Sequence, residues 1–384
     1  MREPLVNLCS TSVGSGICLN MIVKNESAVI ERLLCSVFPF LDSYLIVDTG
    51  SADGTPEIIH QFMKGKGISG QVHFRAWINF GVNRQQALDL AVANLTPNWL
   101  LFIDADEELK WTNDRWHTQM KEGMSYRIEK EHGPLRYELS NIIWAKGVRW
   151  SWHGAVHEYL DATPSLPPFD SIRGVWIHSH IGEGARSLGV TESQKFLKDA
   201  ELLEESLRDD PSNARDRFYL AQSYRDAGDL RRAYENYGIR FGMGGWDEEV
   251  YVAQCERANL SIRLGMDHSQ ITMEHLQAYA VRPTRAEALW QLSAYCRENG
   301  KYAEGYLYSK VGKDITRPDD ILFVRNDVYE WRLLDEFSIC AYWIGQYQES
   351  LDASEKIMSQ GLYDASHLDR LKSNICFTKK ALGV

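Results

Sequence analysis

The residues best suited to chemistry form the run Leu101-Phe102-Ile103-Asp104-Ala105-Asp106-Glu107-Glu108. An apolar segment stops and acids two apart follow, so Asp104 and Asp106 can project to one side of an extended chain. Carboxylates at that spacing suit a hard divalent cation, Mn²⁺ or Mg²⁺, which would bridge a bound diphosphate. Alone, D-x-D is a weak signal, because acidic loops are common and solvated. A second run, Val47-Asp48-Thr49-Gly50-Ser51-Ala52-Asp53-Gly54-Thr55, also follows an apolar stretch. Its glycines permit a tight turn, and Asp48 can accept hydrogen bonds from a nucleobase or ribose; the plain alternative is a βα loop with Asp53 as a turn residue. Four of the eleven histidines fall between 153 and 180, in WHGAVHEYL (152–160) and WIHSH (176–180). Imidazole also binds Mn²⁺, so His178 or His180 is a candidate third ligand, although a lone buried histidine is more often a core residue. Glu158 is a candidate general base, with an ion pair to Arg149 as its ordinary role.

The elements that must hold these residues alternate between strand and helix over the first ~105 residues, which implies a parallel sheet. Ile17–Val23 is apolar on both faces, as a buried parallel strand should be. Ser27–Phe38 has helical spacing, Tyr44–Val47 reads as a second strand, and Thr55-Pro56-Glu57 reads as an N-cap, a proline at N1 and a first-turn acid. Val72–Trp77, Val82–Ala93 and Trp99–Ile103 read as strand, helix and strand. Asp48 and Asp104 therefore both fall at strand carboxyl ends, where open α/β sheets bind ligands. Residues 110–190, rich in aromatics and holding the loop PSLPPF (164–169), read as an irregular extension of the same domain.

From Thr191 the period becomes helical. Thr191-Glu192-Ser193-Gln194 is a capping box, and Phe196, Ala200, Leu203 and Leu207 make one stripe. The segments 219–237, 289–310 and 337–357 resemble one another. Each has an aromatic and small-residue helix, a glycine turn and a second helix. Alignment on the glycines groups Leu220 with Leu292 and Phe337, and Leu230 with Tyr302 and Tyr347. With a weaker unit at Gly265, the turn glycines 228, 265, 300 and 345 lie 37, 35 and 45 residues apart. Stacked hairpins of ~34 residues are the tetratricopeptide pattern, here with an insertion before the last unit; the alternative is a generic helical domain.

Composition fits two domains. The chain has 384 residues, 44% hydrophobic and 25% charged, with a net charge of −11. Residues 1–190 carry 17 Lys and Arg against 21 Asp and Glu, and residues 191–384 carry 25 against 32. Neither half has the basic surplus of a nucleic-acid binder, so nucleic acid is not an expected partner. No apolar run approaches the ~20 residues of a membrane span, and no signal-peptide pattern opens the chain, so a cytoplasmic location is expected. The seven cysteines are unclustered, which favours buried reduced thiols over zinc or disulfides.

CLNMIVKNES, IVDTGSADGT, WINFGVNRQQALDLA, NWLLFIDADEEL and WHGAVHEYL occur in the order found in family-2 glycosyltransferases of the GT-A fold, and the chain resembles that family over nearly its whole length. It resembles more narrowly the members with a tetratricopeptide-like tail, near which bacteriocin S-glycosyltransferases and lipopolysaccharide-core β-glucosyltransferases fall. The resemblance implies an α/β, GT-A (Rossmann-like) nucleotide-sugar-binding domain over 1–188 and an all-α tetratricopeptide-like domain over 189–384. It implies that Met21, Lys24, Asn25 and Glu26 border the nucleotide, that Asp48 binds the base, and that Arg84 and Asp104 lie at the donor. Asp106 is then the direct ligand of Mn²⁺ or Mg²⁺, with His178 or His180 beside it and Glu158 as the base. The R-x-F-R-like stretch usual before the His-Glu box is replaced by YELSNIIWAKG (137–147). The implied activity is metal-dependent, inverting transfer from a nucleotide-sugar, a UDP-sugar first, to a polypeptide or surface glycan. The repeats would grip that acceptor or pair two copies of the chain. The rival readings are a nucleotidyltransferase, which lacks its Gly-rich phosphate loop here, and a tetratricopeptide adaptor with an inactive transferase domain.

Overall fold

Strand β1 (Ile17–Val23) is buried along its length, and the side chains it sends to either face meet different partners. Ile17, Leu19, Met21 and Val23 pack with helix α1 (Ile30–Val37) and with Ile59 and Met63 of α2 (Thr55–Lys66). Cys18 packs on the other face with Ala87, Leu88 and Ala91 of α3 (Phe80–Leu95). Asn20 points the same way, and its amide donates to the carbonyls of Leu45 and Ala87, tying sheet to helix. β1 pairs in parallel with β2 (Ser43–Asp48) and β4 (Trp99–Leu101), and β2 with β3 (Ser69–Phe74). The computed structural model describes residues 16–133 and 135–384.

Two sequence expectations shift here. The third strand occupies Ser69–Phe74, three residues earlier than expected, because Trp77 leaves the strand to meet the Phe80 ring edge-on at 4.9 Å. Helix α2 is capped at Gly54, not Thr55. The Asp53 carboxylate satisfies the start instead, accepting from the Thr55 N–H at 3.1 Å and hydroxyl at 2.6 Å.

A larger correction concerns residues 110–190, which contribute regular strands between their loops. Strands β5 (Glu107–Trp111), β6 (Ser125–His132), β7 (Leu135–Trp144) and β10 (Phe169–Ser179) extend the sheet to eight strands in the order β3-β2-β1-β4-β7-β6-β10-β5. A ribbon of β8 (Arg149–His153) and β9 (Tyr159–Thr163) supplies Trp150 and Ala162 to the α3 side of the core. β6 and β7 are half exposed at their hairpin end, so Glu129, Lys130, Glu131 and Arg136 stand where an apolar run would have signalled a strand.

The chain divides into two units, Met1–Lys195 and Phe196–Val384, with the boundary inside α4 (Glu192–Asp209). Both arms of the capping box form: Gln194 N–H donates to the Thr191 hydroxyl, and Thr191 N–H to the Gln194 side chain. The second unit is a series of helical hairpins: α5 (Ala214–Ala227) with α6 (Leu230–Gly242), α7 (Asp247–Arg263) with α8 (His268–Val281), α9 (Glu287–Glu298) with α10 (Tyr302–Gly312), and α11 (Leu333–Trp343) with α12 (Tyr347–Gln360). A last helix, α13 (Leu368–Leu382), follows. Gly228, Gly265, Gly300 and Gly345 all turn through the left-handed region that favours glycine. The aligned Leu220, Leu292 and Phe337 are core residues, and Leu230, Tyr302 and Tyr347 each open a second helix. No described helix is long and apolar enough to cross a membrane. Among the described cysteines none is paired, and Cys35 and Cys376 are exposed, contrary to the expected burial; Cys9 lies outside the described residues.

Candidate functional site

The site forms where the parallel strands end. Val23, Asp48 and Phe74 are paired in register, so β1, β2 and β3 deliver their following loops to one edge. Asp48 accepts from the backbone N–H groups of Gly50 at 3.2 Å and Ser51 at 3.1 Å, which fixes its carboxylate. Asn25, in the left-handed region at φ 58°, bridges the neighbouring loop. Its side chain accepts from Ala52 N–H at 2.8 Å, and its own N–H donates to the Ser51 hydroxyl. Ser27 N–H donates to Asp53. Burial works to raise the Asp53 carboxyl, but Thr55 and Ser27 outweigh it and hold it down at about 2. Lys24 is exposed at the same edge. Met21, at 1% exposure, is enclosed in the core and offers no side-chain surface to a ligand.

Arg84 joins the two acidic motifs. It lies in the second turn of α3, and its guanidinium donates to Asp104 at 2.7 Å and to Glu158 at 2.6 Å. Its carbon stands 5.5 Å from the centre of the Trp152 ring. Burial alone would lower the guanidinium pKa; Asp104 and Glu158 more than reverse this. The Asp104 side chain is 46% exposed, and Arg84 holds its carboxyl low against partial enclosure. The partner of Glu158 is thus Arg84, not Arg149. The loop carrying Glu158 is seated on α3. Gln85 accepts from Trp152 N–H at 2.7 Å, Phe80 N–H reaches Ala155 O, and a side chain at Gly81 would collide with the Gly154 carbonyl. His157 takes a left-handed φ of 53°, and Glu158 follows it.

Asp106 faces the segment 180–187. A β-carbon on Gly184 would stand 2.6 Å from Asp106 Oδ2, so with the carboxylate in this position a larger residue would press on it. Ala185 N–H donates to Glu26 at 3.1 Å, and Glu183 pairs with Arg32. Burial pushes the Glu26 carboxyl up to about 7; the Ala185 N–H opposes this, and the charges of Asp106, Asp104 and Asp53 reinforce it. Burial and then Asp104 raise the Asp106 carboxyl as well. His178 and His180 pack against each other, ring centres 4.6 Å apart. His178 bonds Glu131 at 2.9 Å and His180 bonds Glu108 at 3.1 Å, while the His180 backbone N–H donates to the Asp106 carbonyl. Among the described residues no group of three or more His, Cys, Asp or Glu side chains is arranged to hold a metal ion.

Several residues at this edge carry no signal in the sequence. Glu107 accepts from Asp104 N–H and pairs with Lys130, although it reads as one acid among four. Burial pushes it up to about 7, Asp104 adds to this and Lys130 opposes it. Arg186 feels Glu158 and Asp104, and Lys195 feels Asp106. Lys130 comes from β6, Arg186 from the loop after β10 and Lys195 from the first turn of α4, elements that only the folded chain brings beside the acids.

Residues 18–115 match the family described as Glycosyl transferase family 2. An uncharacterized glycosyltransferase of Rickettsia felis is 35% identical over 89 residues, covering 23% of this chain and 28% of its own. The glycosyltransferase SunS of Bacillus subtilis is 26% identical over 213 residues, covering 53% of this chain and 47% of its own. A TPR repeat-containing protein of Synechococcus elongatus is 32% identical over 150 residues, covering 37% and 35%. The chain thus spans about half or less of the relatives it matches. Among solved structures, MamA aligns at TM-score 0.35 and 15% identity, over 44% of this chain and 90% of its own. Within the first unit, residues 18–115 are thus similar to glycosyltransferase family 2 and lie on a mixed sheet, while the second unit is a helical-hairpin array.

Proposed function

We propose that the protein is a cation-dependent, inverting glycosyltransferase. It takes a sugar from a nucleotide-sugar donor, a UDP-sugar first, and passes it to a polypeptide or surface glycan. The observation that carries this reading is the bridge from Arg84 to both Asp104 and Glu158, which joins the D-x-D and the WHGAVHE loop in one site at the sheet's ligand edge. Asp48 and Asn25 flank the donor's base and ribose, and Asp104 with Arg84 its sugar-phosphate end. In a direct displacement the acceptor attacks the anomeric carbon and its proton passes to Glu158. The bond to the diphosphate breaks with its electron pair on the leaving oxygen.

Mn²⁺ or Mg²⁺ fits at Asp106. Beside its Oδ2 the chain carries Gly184, which has no side chain, and such ions are commonly held by one or two carboxylates, with phosphate oxygens and water completing the shell. A bound cation supplies positive charge to the departing diphosphate. His178 or His180 joins it only by turning from Glu131 or Glu108. Exposed Met273 and Leu276 on α8 and Leu307 and Val311 on α10 support a polypeptide as acceptor.

The test is release of nucleoside diphosphate from UDP-, GDP- and dTDP-sugars, with and without Mn²⁺ and a peptide pool. The expected result is Mn²⁺-stimulated release that Asp106→Ala abolishes in a folded protein. Undiminished release in that variant removes the cation from this site.

A further inference from the structure

The three strands that end flush beside Asp48 bring different groups to the edge. β1 leads into Lys24 and Asn25, β2 ends in Asp48, and β3 ends in Phe74, directly opposite Asp48 in the strand register. Adjacent strands lie ~4.8 Å apart, so the aromatic residue and the carboxylate are immediate neighbours. Phe74 is 64% exposed. It shares a pleat face with Val72, which packs against the core. The loop beside Phe74 includes Gly50, and the run Gly50-Ser51-Ala52 carries no large side chain. The ring's Cε2 lies 4.0 Å from where a β-carbon on Gly50 would stand, and the φ of +111° at Gly50 disfavours any residue with one. Arg75, next along, turns its guanidinium back to the Phe74 carbonyl at 2.8 Å.

An exposed ring beside a fixed carboxylate selects among the parts of a nucleotide. A phosphate is repelled by Asp48, and a sugar hydroxyl uses the carboxylate but gains little from the ring. A planar heteroaromatic base uses both, its face on the ring and its N–H edge on the carboxylate. We propose that Phe74 is the platform on which the donor's nucleobase stacks, with Asp48 reading the base's hydrogen-bonding edge. This rests on the nucleotide-sugar reading above and adds to it the residue that sets affinity for the nucleoside.

The test is calorimetric titration of the full chain, in Mn²⁺, with UDP, GDP, CDP, dTDP and inorganic pyrophosphate. In wild type at least one nucleoside diphosphate should bind more tightly than pyrophosphate. Phe74→Ala should weaken that nucleotide by about 5- to 100-fold, the range for losing one base–aromatic stack, and leave pyrophosphate unchanged. Phe74→Trp should keep the nucleotide's advantage. Equal nucleotide affinity in wild type and Phe74→Ala overturns the platform and leaves the donor reading intact, as does an equal loss for nucleotide and pyrophosphate. A wild-type chain that binds none of the nucleotides overturns both.

Discussion

The two units put arginine–carboxylate pairs to opposite uses. In the helical array the pairs link successive hairpins and are largely enclosed. Arg240 on α6 meets Glu249 on α7 at 2.7 Å, Arg297 on α9 meets Glu336 on α11 at 2.6 Å, and Arg370 on α13 meets Asp335 on α11 at 2.8 Å. The insertion before α11 is held in the same way. Asp320 pairs with Arg282 and Arg285, Glu248 accepts from the N–H groups of Ile321 and Leu322, and Arg285 donates to the Leu322 carbonyl. At the sheet edge of the first unit the acids outnumber the cations they bond. Glu26, Asp104 and Asp106 converge, Arg84 is divided between two carboxylates, and Glu26 and Asp106 are held above their ordinary values. Closed pairs fix geometry; a surplus of negative charge at an edge is relieved by what binds there.

The largest effect that could break this contrast is at Glu158. Glu158→Gln keeps the shape of the side chain and an acceptor for Arg84, but cannot take a proton. Transfer should fall by about 10²- to 10⁴-fold, the usual worth of a general base, with donor affinity near wild type. Retained transfer in a folded variant would move the base elsewhere. In the array, Arg285→Leu should act on stability instead. The Arg285 side chain is 2% exposed and serves Glu287, Asp320 and two carbonyls, so its removal strands buried charge at a cost of about 3–5 kcal/mol. Urea denaturation measures this. A loss below about 1 kcal/mol would mean that these pairs are not the ties they look like.

A smaller effect is expected at the histidines. If either ring turns to the cation, His178→Ala and His180→Ala should differ in Mn²⁺ affinity. Equal, wild-type affinities in both would leave the rings as partners of Glu131 and Glu108.

What was legible in the sequence follows from how local each signal is. The parallel strands are short apolar runs, and β1 was found at its observed limits; the turn glycines are single residues with a steric reason. The D-x-D and the Asp48 loop are likewise local. The antiparallel half of the sheet was not legible, because Glu129, Lys130 and Glu131 sit on a half-exposed hairpin whose strand character comes from its neighbours. Arg84 was legible only through family resemblance. Its role as a bridge depends on Asp104, 20 residues away, and Glu158, 74 away, meeting it across different elements. Lys130 and Arg186 were missed for the same reason: charge at a site is summed in space, and sequence gives only its order along the chain.

The smallest effect is the most direct test of surplus against closure, because one carboxyl in each unit shifts in the opposite direction. Burial, with Asp106, Asp104 and Asp53 nearby, raises Glu26 from 4.5 to about 7 in the folded chain. Between those values the folded state holds a proton that the unfolded state has released, so this contribution favours folding at low pH and is lost as pH rises through about 7. Glu107, also raised to about 7, adds a slope of the same sign. Glu26→Gln keeps an acceptor for the Ala185 N–H and removes the ionisation. Its Tm should approach that of wild type near pH 4, below the unfolded value of 4.5, and exceed it by a growing margin as pH rises through about 7. In the array, burial raises Glu287 but the hydrogen bonds and charge of Arg285 outweigh it, and the carboxyl is lowered. Its contribution is present above the unfolded value and lost as pH falls through the folded one. Glu287→Gln should therefore be less stable than wild type at pH 8, with the gap closing toward acid. Differential scanning fluorimetry of wild type and the two variants from about pH 3 to 8 reads both slopes, that of Glu287 lying below its unfolded value of 4.5. If the two curves bend the same way, the sheet edge carries no more unbalanced charge than the helical array.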